Sequence, residues 1–184
     1  WQNETDVIKN FFLAYPVFLV QTKDGLAGMD FFSGQLVWDK PGLIPRDFCT
    51  ELNSNLLVGI IGNTLVRIDA TTGEEETLGS IPPSANQVEP AWDSTYVLTG
   101  GDRMWLFETT SQKSTELSYH FNNFSHLVDH AFLIMLEPQN NLLKKIDLRS
   151  GTIVWKKKLP FDRQEDLLTF SWGESDLIVS TQKG

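Results

Sequence analysis

A single repeat of 39 residues governs this chain. Asp30, Asp69, Glu108 and Asp147 stand 39 residues apart with no insertion between them. Three residues on come Ser33, Thr72, Ser111 and Ser150, followed at once by Gly34, Gly73, Gln112 and Gly151. Six residues ahead of the acidic column lie Asp24, Asn63, Asp102 and Asn141. Three apolar columns keep the same register: Leu26, Leu65, Met104 and Leu143; then Met29, Ile68, Phe107 and Ile146; and Leu19, Val58, Val97 and Leu136. Only 24 of 184 residues are acidic, so one such column arising by chance is improbable, and seven in concert far more so. A chain made of one repeated unit buries its apolar faces by stacking those units on each other.

Each column has a physical reason. The Asp/Asn column separates two short β-type runs, as between Val17-Phe18-Leu19-Val20 and Leu26-Ala27-Gly28-Met29. Asp and Asn tolerate left-handed backbone and bond their own main chain, as a tight hairpin needs. In the second turn, Asp-x-x-Ser/Thr-Gly, the carboxylate accepts turn amides and the glycine supplies a positive φ. Runs such as Leu65-Val66-Arg67-Ile68 read as half-buried strand, and no segment shows a sustained helical period with caps. The first repeat reads as strands over 7–15, 17–22, 26–31 and 35–39, with the later repeats at the same offsets. A four-stranded meander at this spacing is the signature of β-propeller blades. The expected fold is an all-β propeller arc of four-stranded antiparallel blades, with four full blades and part of a fifth.

Two stretches carry a resemblance. Asp30-Phe31-Phe32-Ser33-Gly34-Gln35-Leu36-Val37-Trp38 and Asp147-Leu148-Arg149-Ser150-Gly151-Thr152-Ile153-Val154-Trp155 resemble the Asp-x-x-Thr-Gly-x-x-x-Trp signature of PQQ-like (quinoprotein-like) β-propellers. The resemblance implies that each such tryptophan, on an outer strand, docks against the neighbouring blade. It covers the chain unevenly. The second repeat keeps Asp69 and Gly73 but has Thr77 in the tryptophan column, and the third has Glu108, Gln112 and Glu116. WD-repeat propellers are the competing family, since Val66 to Gly73 fits either. Against them, the sequence has no Gly-His dipeptide, and Trp38-Asp39 lies one strand later than a WD pair would.

The repeat sets expected blade boundaries at 5–42, 43–81, 82–120 and 121–160, with a partial blade over 161–184. An arc of this kind leaves blade faces and strand edges open. Closure is therefore expected from further blades of a longer parent or from a second chain. The chain opens on Trp1 with no signal-type segment, which fits a processed protein or a piece of a longer one.

Candidate chemistry is sparse. Quinoprotein dehydrogenases resemble one another in having a vicinal cysteine pair and a calcium held by Glu, Asn and Asp. Here Cys49 is the sole cysteine, which excludes an internal disulfide and any zinc site built from several cysteines. Asp47 and Glu51 beside it would raise its pKa, so a structural thiol is expected rather than a nucleophile. His120, His126 and His130, with Asp129, could form a metal set by residue type. Their spacings of six and four do not gather them on one strand face. Lys156-Lys157-Lys158 and Glu74-Glu75-Glu76 read as solvated outer-strand charge. No catalytic residue, cofactor site or metal site is assigned.

Trp105 falls within a strand and is expected in the core. Trp92 and Trp172 precede second strands, in segments that border a propeller's central channel, and are the candidate partner-binding residues. Asn3-Glu4-Thr5 and Asn123-Phe124-Ser125 are glycosylation sequons at near chance frequency. The net charge of −9 argues against nucleic acid. The longest apolar run, Phe11 to Val20, is broken by Pro16 and is too short for a transmembrane helix. The reading that follows is a non-catalytic scaffold with a polypeptide partner on its blade loops or channel face. An extracytoplasmic setting is implied by the resemblance alone. The alternative is a quinoprotein-type or hydrolytic enzyme whose active residues lie in blades outside this chain.

Overall fold

The computed structural model describes residues 10–51, 54–118, 126–137, 140–159, 168–172 and 177–181. These residues form β-strands and turns, with no α-helix among them. The first sheet comprises β1 (Asn10–Ala14), β2 (Val17–Gln21), β3 (Gly25–Asp30) and β4 (Leu36–Pro41). The second has β5 (Phe48–Thr50), β6 (Leu56–Ile61), β7 (Thr64–Asp69) and β8 (Glu75–Ser80). The third has β9 (Gln87–Pro90), β10 (Thr95–Gly100), β11 (Arg103–Glu108) and β12 (Lys113–Leu117). The fourth has β13 (His126–Asp129), β14 (Phe132–Glu137), β15 (Leu142–Asp147) and β16 (Thr152–Lys158). A two-stranded pair, β17 (Leu168–Trp172) and β18 (Leu177–Thr181), follows. Each sheet is a plain antiparallel meander in chain order.

Burial explains why the strands differ in composition. The second strands are buried on both faces, β10 throughout and β6 and β14 except at their ends. They therefore read as nearly continuous apolar runs, as strands sandwiched between two layers do. The fourth strands are largely exposed, and all of β16 is. The core lies between blades rather than within them. One cluster joins the first and second blades through Leu19, Leu26, Trp38, Leu57 and Ile68. A second joins the second and third through Ile60, Leu65, Tyr96, Leu98, Trp105 and Phe107, and a third unites Val97, Met104, Leu133 and Ile146.

The acidic turns work as the spacing predicts. Asp30 Oδ1 accepts from the amides of Phe32 (3.1 Å) and Ser33 (2.7 Å) and from the Ser33 hydroxyl (2.7 Å). Asp69 Oδ1 accepts from the amides of Thr71 (2.7 Å) and Thr72 (3.1 Å) and from the Thr71 hydroxyl (2.6 Å). Asp147 Oδ1 takes the Arg149 amide at 2.8 Å. Gly34, Gly73 and Gly151 sit at φ of 66°, 73° and 69°, and Gln112 holds the same conformation at 54° without the freedom of glycine.

Trp38 bridges two blades. Its ring is 8% exposed, lies over Gly28 of its own sheet, and donates Nε1–H to the Ala70 carbonyl of the next sheet at 2.8 Å. A Cβ on Gly73 would meet the ring at 2.7 Å, so this turn needs glycine for contact as well as for φ. A β-bulge lies just ahead of the tryptophan: Gly28 pairs with Trp38 but Met29 pairs with Leu36. The fourth sheet repeats it, with Lys145 opposite Trp155 and Ile146 opposite Ile153. Trp155 remains 38% exposed, and the blade that would receive it lies mostly outside the described residues.

Two expectations need correction. The apolar column does not hold at Leu136. Leu19, Val58 and Val97 pair with Gly28, Arg67 and Leu106, whereas the residue opposite Lys145 is Ile134. Residues 138–141 make this hairpin connection two residues longer than Gly62-Asn63 or Gly101-Asp102. An even slip leaves every side chain on its own face, so the core survives it. In the hairpin column only Asn141 adopts positive φ (50°); in the second and third sheets the preceding Gly62 (58°) and Gly101 (64°) do so.

Trp38→Ala is expected to cost about 3–5 kcal/mol of unfolding free energy in urea titration. Gly73→Ala is expected to cost roughly 2–4 kcal/mol, from the ring clash and the left-handed backbone together. The double variant should lose clearly less than the sum, because the clash needs the ring. The carboxyls of Asp30 and Asp69 are held below their ordinary value of 3.8, through the Ser33 and Thr71 hydroxyls first and turn amides besides. Groups lowered in this way contribute stability above the unfolded pKa and lose it as pH falls through the folded one. Asp30→Asn with Asp69→Asn should flatten the fall of the urea midpoint below about pH 4; an unchanged slope would contradict the turn account.

Candidate partner-binding face

In each meander the first and third turns lie at one end of the sheet and the middle hairpin at the other. The first end carries Tyr15 and Pro16, Phe31 to Gln35, Ala91 to Ser94, and Leu148 to Gly151. Tyr15, Phe31 and Phe32 are exposed there, with Phe32 edge-on to both other rings at centroid distances of 6.0 and 5.5 Å.

Trp92 stands on the same face, in the turn between β9 and β10. The Thr95 amide donates to the Trp92 carbonyl at 2.6 Å, closing a turn whose central residues, Asp93 (φ 40°) and Ser94 (φ 61°), are both left-handed. That pattern is the type I′ hairpin turn, which favours glycine at the second central position. The half-buried indole packs against the core between the third and fourth blades. The Arg149 guanidinium of the fourth blade lies 5.4 Å from its ring and 4.0 Å from Asp93 Oδ2.

A cavity of about 140 Å³ opens beside this turn, bounded by Glu51 of the second blade and by Pro90 to Tyr96 of the third. Glu51 Oε1 accepts from Arg67 Nε at 3.1 Å and from the Tyr96 hydroxyl. Burial first, and then the Glu51 carboxylate, raise the Tyr96 phenol above its ordinary value, so it stays protonated. Glu51, Arg67 and Tyr96 lie far apart in sequence, and no local signal joined them. The carboxylate and the cation meet within the second blade, and the phenol joins them only once the third blade stacks on it.

The other candidates fall apart spatially. Cys49, on β5, is half-buried against the core between the second and third blades. Burial first, then Asp47, Glu51 and Glu89, push its thiol up to about 12, which leaves it protonated at neutral pH. His126 Nε2 lies 2.6 Å from Glu89 Oε1 across the blade boundary, and His130 bonds the adjacent Asp129 at 2.8 Å. His120, Asn3 and Asn123 lie outside the described residues. No group of three or more His, Cys, Asp or Glu able to hold a metal occurs among the described residues. Glu75 and Glu76 pair with Lys40 (3.3 Å) and Arg67 (2.8 Å), and Lys156 to Lys158 are exposed on β16. Trp105 is buried in the inter-blade core. Trp172 ends β17, the counterpart of β9, and its side chain lies outside the described residues.

No protein-family model matches the sequence, and no curated protein is detectably similar to it. Solved structures do match. The computationally designed Ika8 protein superposes with a TM-score of 0.64 at 10% identity, covering 96% of this chain and 56% of that one. Hsv2 of Kluyveromyces lactis, with loop 6CD replaced by a Gly-Ser linker, gives 0.62 at 15%, covering 95% and 62%. The N-terminal domain of Nup159 gives 0.60 at 14%, covering 95% and 56%. This chain thus spans little more than half the length of the designed protein and the Nup159 domain. At such identities the likeness establishes architecture, and the architecture is a β-propeller arc.

Ser94→Gly should relieve the left-handed non-glycine backbone and raise stability by about 1 kcal/mol. Urea unfolding checks it, and a loss of stability would contradict the turn geometry.

Proposed function

We propose that this chain is a non-catalytic propeller scaffold of PQQ-like type that binds a polypeptide partner on its turn-bearing face. The observation that carries this reading is the set of aromatic side chains raised on that face, Tyr15, Phe31 and Phe32 exposed and Trp92 half-buried. The inter-blade cores hold the turns rigidly, so a partner meets aromatic anchors already in place. These rings touch one another but keep much of their surface in water, and they are among the residue types enriched in polypeptide interfaces. The Trp38 contact supports the PQQ-like assignment, since the signature tryptophan docks on the next blade as that resemblance implies.

Completion of the ring by further blades or by a second chain belongs to the same proposal. On the first blade, the face turned away from the second blade carries Phe11 (77% exposed), Leu13 (59%) and Leu36 (61%). In the second blade the corresponding face carries Leu57, Val66 and Ile68, which are buried in the core shared with the first. An extracytoplasmic setting is proposed on the family resemblance alone.

The test is affinity capture of the natural parent from its own extract, read by mass spectrometry. A stoichiometric polypeptide is expected, and its capture should fall at least tenfold with Phe31→Ser plus Phe32→Ser while surviving Lys157→Ala on the outer strand. A parent that emerges alone with bound quinone or tightly held calcium would overturn the reading. Capture indifferent to the aromatic changes would do the same.

A further inference from the structure

The cavity between the second and third blades has a chemistry of its own. Its wall combines two carboxylates, Glu51 and Asp93, with the indole of Trp92, the ring of Tyr96 and the apolar Pro90 and Ala91. No lysine, arginine or histidine lines it. Glu51 commits only one oxygen: Oε1 receives both Arg67 and Tyr96, and Oε2 has no hydrogen-bond donor among the described residues. The Asp93 side chain is 90% exposed, and its closest cation, Arg149, stands 4.0 Å away.

We propose that this cavity receives the guanidinium of an arginine side chain from a partner polypeptide, a proposal that rests on the scaffold reading above. Size is the first argument. About 140 Å³ falls well below the ~300–1,000 Å³ of sites for drug-sized ligands, which leaves room for one side-chain head group. Charge is the second. A half-buried carboxylate oxygen without a donor gains most from a charged N–H group, and the reduced dielectric at the cavity mouth strengthens that pairing. Shape is the third. A guanidinium is flat, stacks on indole and presents donors in a fork, so it can engage Glu51 Oε2 and Asp93 while lying against Trp92; an ammonium is a compact point charge without that plane or fork. Arg149 supplies an internal precedent. Its guanidinium already lies by Trp92 and Asp93, and it does so from outside the cavity wall.

The test uses ¹⁵N-labelled full chain and tetra-arginine peptide as probe, read through the tryptophan indole N–H resonances. Trp92→Phe assigns the resonance. A saturable shift of the Trp92 indole is expected, at least tenfold weaker in Asp93→Asn, whose exposed side chain is not needed for folding. Glu51→Gln should weaken it similarly, provided its other indole resonances stay native. Tetralysine binding as tightly would overturn the guanidinium assignment. So would the absence of a saturable Trp92 shift, or a shift indifferent to Asp93→Asn. The two readings fail separately. Partner capture through Phe31 and Phe32 without a tetra-arginine response removes the cavity proposal alone. A specific tetra-arginine response in a parent that captures no polypeptide removes the scaffold reading and the polypeptide origin of the arginine with it.

Discussion

The contact on which the arrangement turns is Trp38 between two sheets. Its ring fills a slot that only glycine leaves open, with Gly28 beneath it and Gly73 across from it, and its N–H satisfies the carbonyl of Ala70. One side chain thereby fixes spacing, tilt and polar pairing between neighbouring blades. The need for such a contact follows from the second strands. Sheets buried on both faces have no stable existence alone, so each blade depends on its neighbours. The next boundary shows what happens without the contact. Thr77 replaces the tryptophan and Gln112 replaces the facing glycine, so donor and slot are lost together. Gly79 then packs against Phe107 and Gln112 instead, keeping the sheets close by another route.

Much of this architecture was legible because each column answers a geometric obligation. An Asp that collects two turn amides and a Gly that stands at positive φ recur in three of the four repeats, with Glu108 and Gln112 in the third, and so announce the blades. The apolar columns are looser, since parity alone keeps a strand's faces correct. The slip at Leu136 is therefore silent in composition and visible only in pairing. The hairpin column misleads for a related reason. Asn63 and Asp102 stand beside the glycines that take the left-handed conformation, and the sequence marks both residues equally. Trp92 could be singled out by position, but its setting could not. Glu51 joins it through the stacking of blades, and the repeat carries no record of that because Glu51 occupies no signature column.

The two kinds of tryptophan differ in their settings. Trp38 is spent on the blade boundary and is hardly exposed. Trp92 is half-buried and reaches a face where the turns are held by inter-blade cores. The carboxylates differ in their partners: Asp30 and Asp69 each collect three donors from their own turns on one oxygen, whereas Glu51 pairs with Arg67 and Tyr96 beside a cavity.

Hydrogen exchange on the protein, with and without the polypeptide that affinity capture is expected to yield, tests the central claim most directly. The account predicts slowed exchange confined to one end of the blades, at Tyr15 to Phe18, Phe31 to Gln35, Asp93 to Tyr96 and Leu148 to Thr152. The hairpins at Gly62-Asn63 and Gly101-Asp102 should exchange as in the free protein. Protection at those hairpins, or along β8, β12 and β16, would contradict it and move the binding surface to the opposite face or the outer rim.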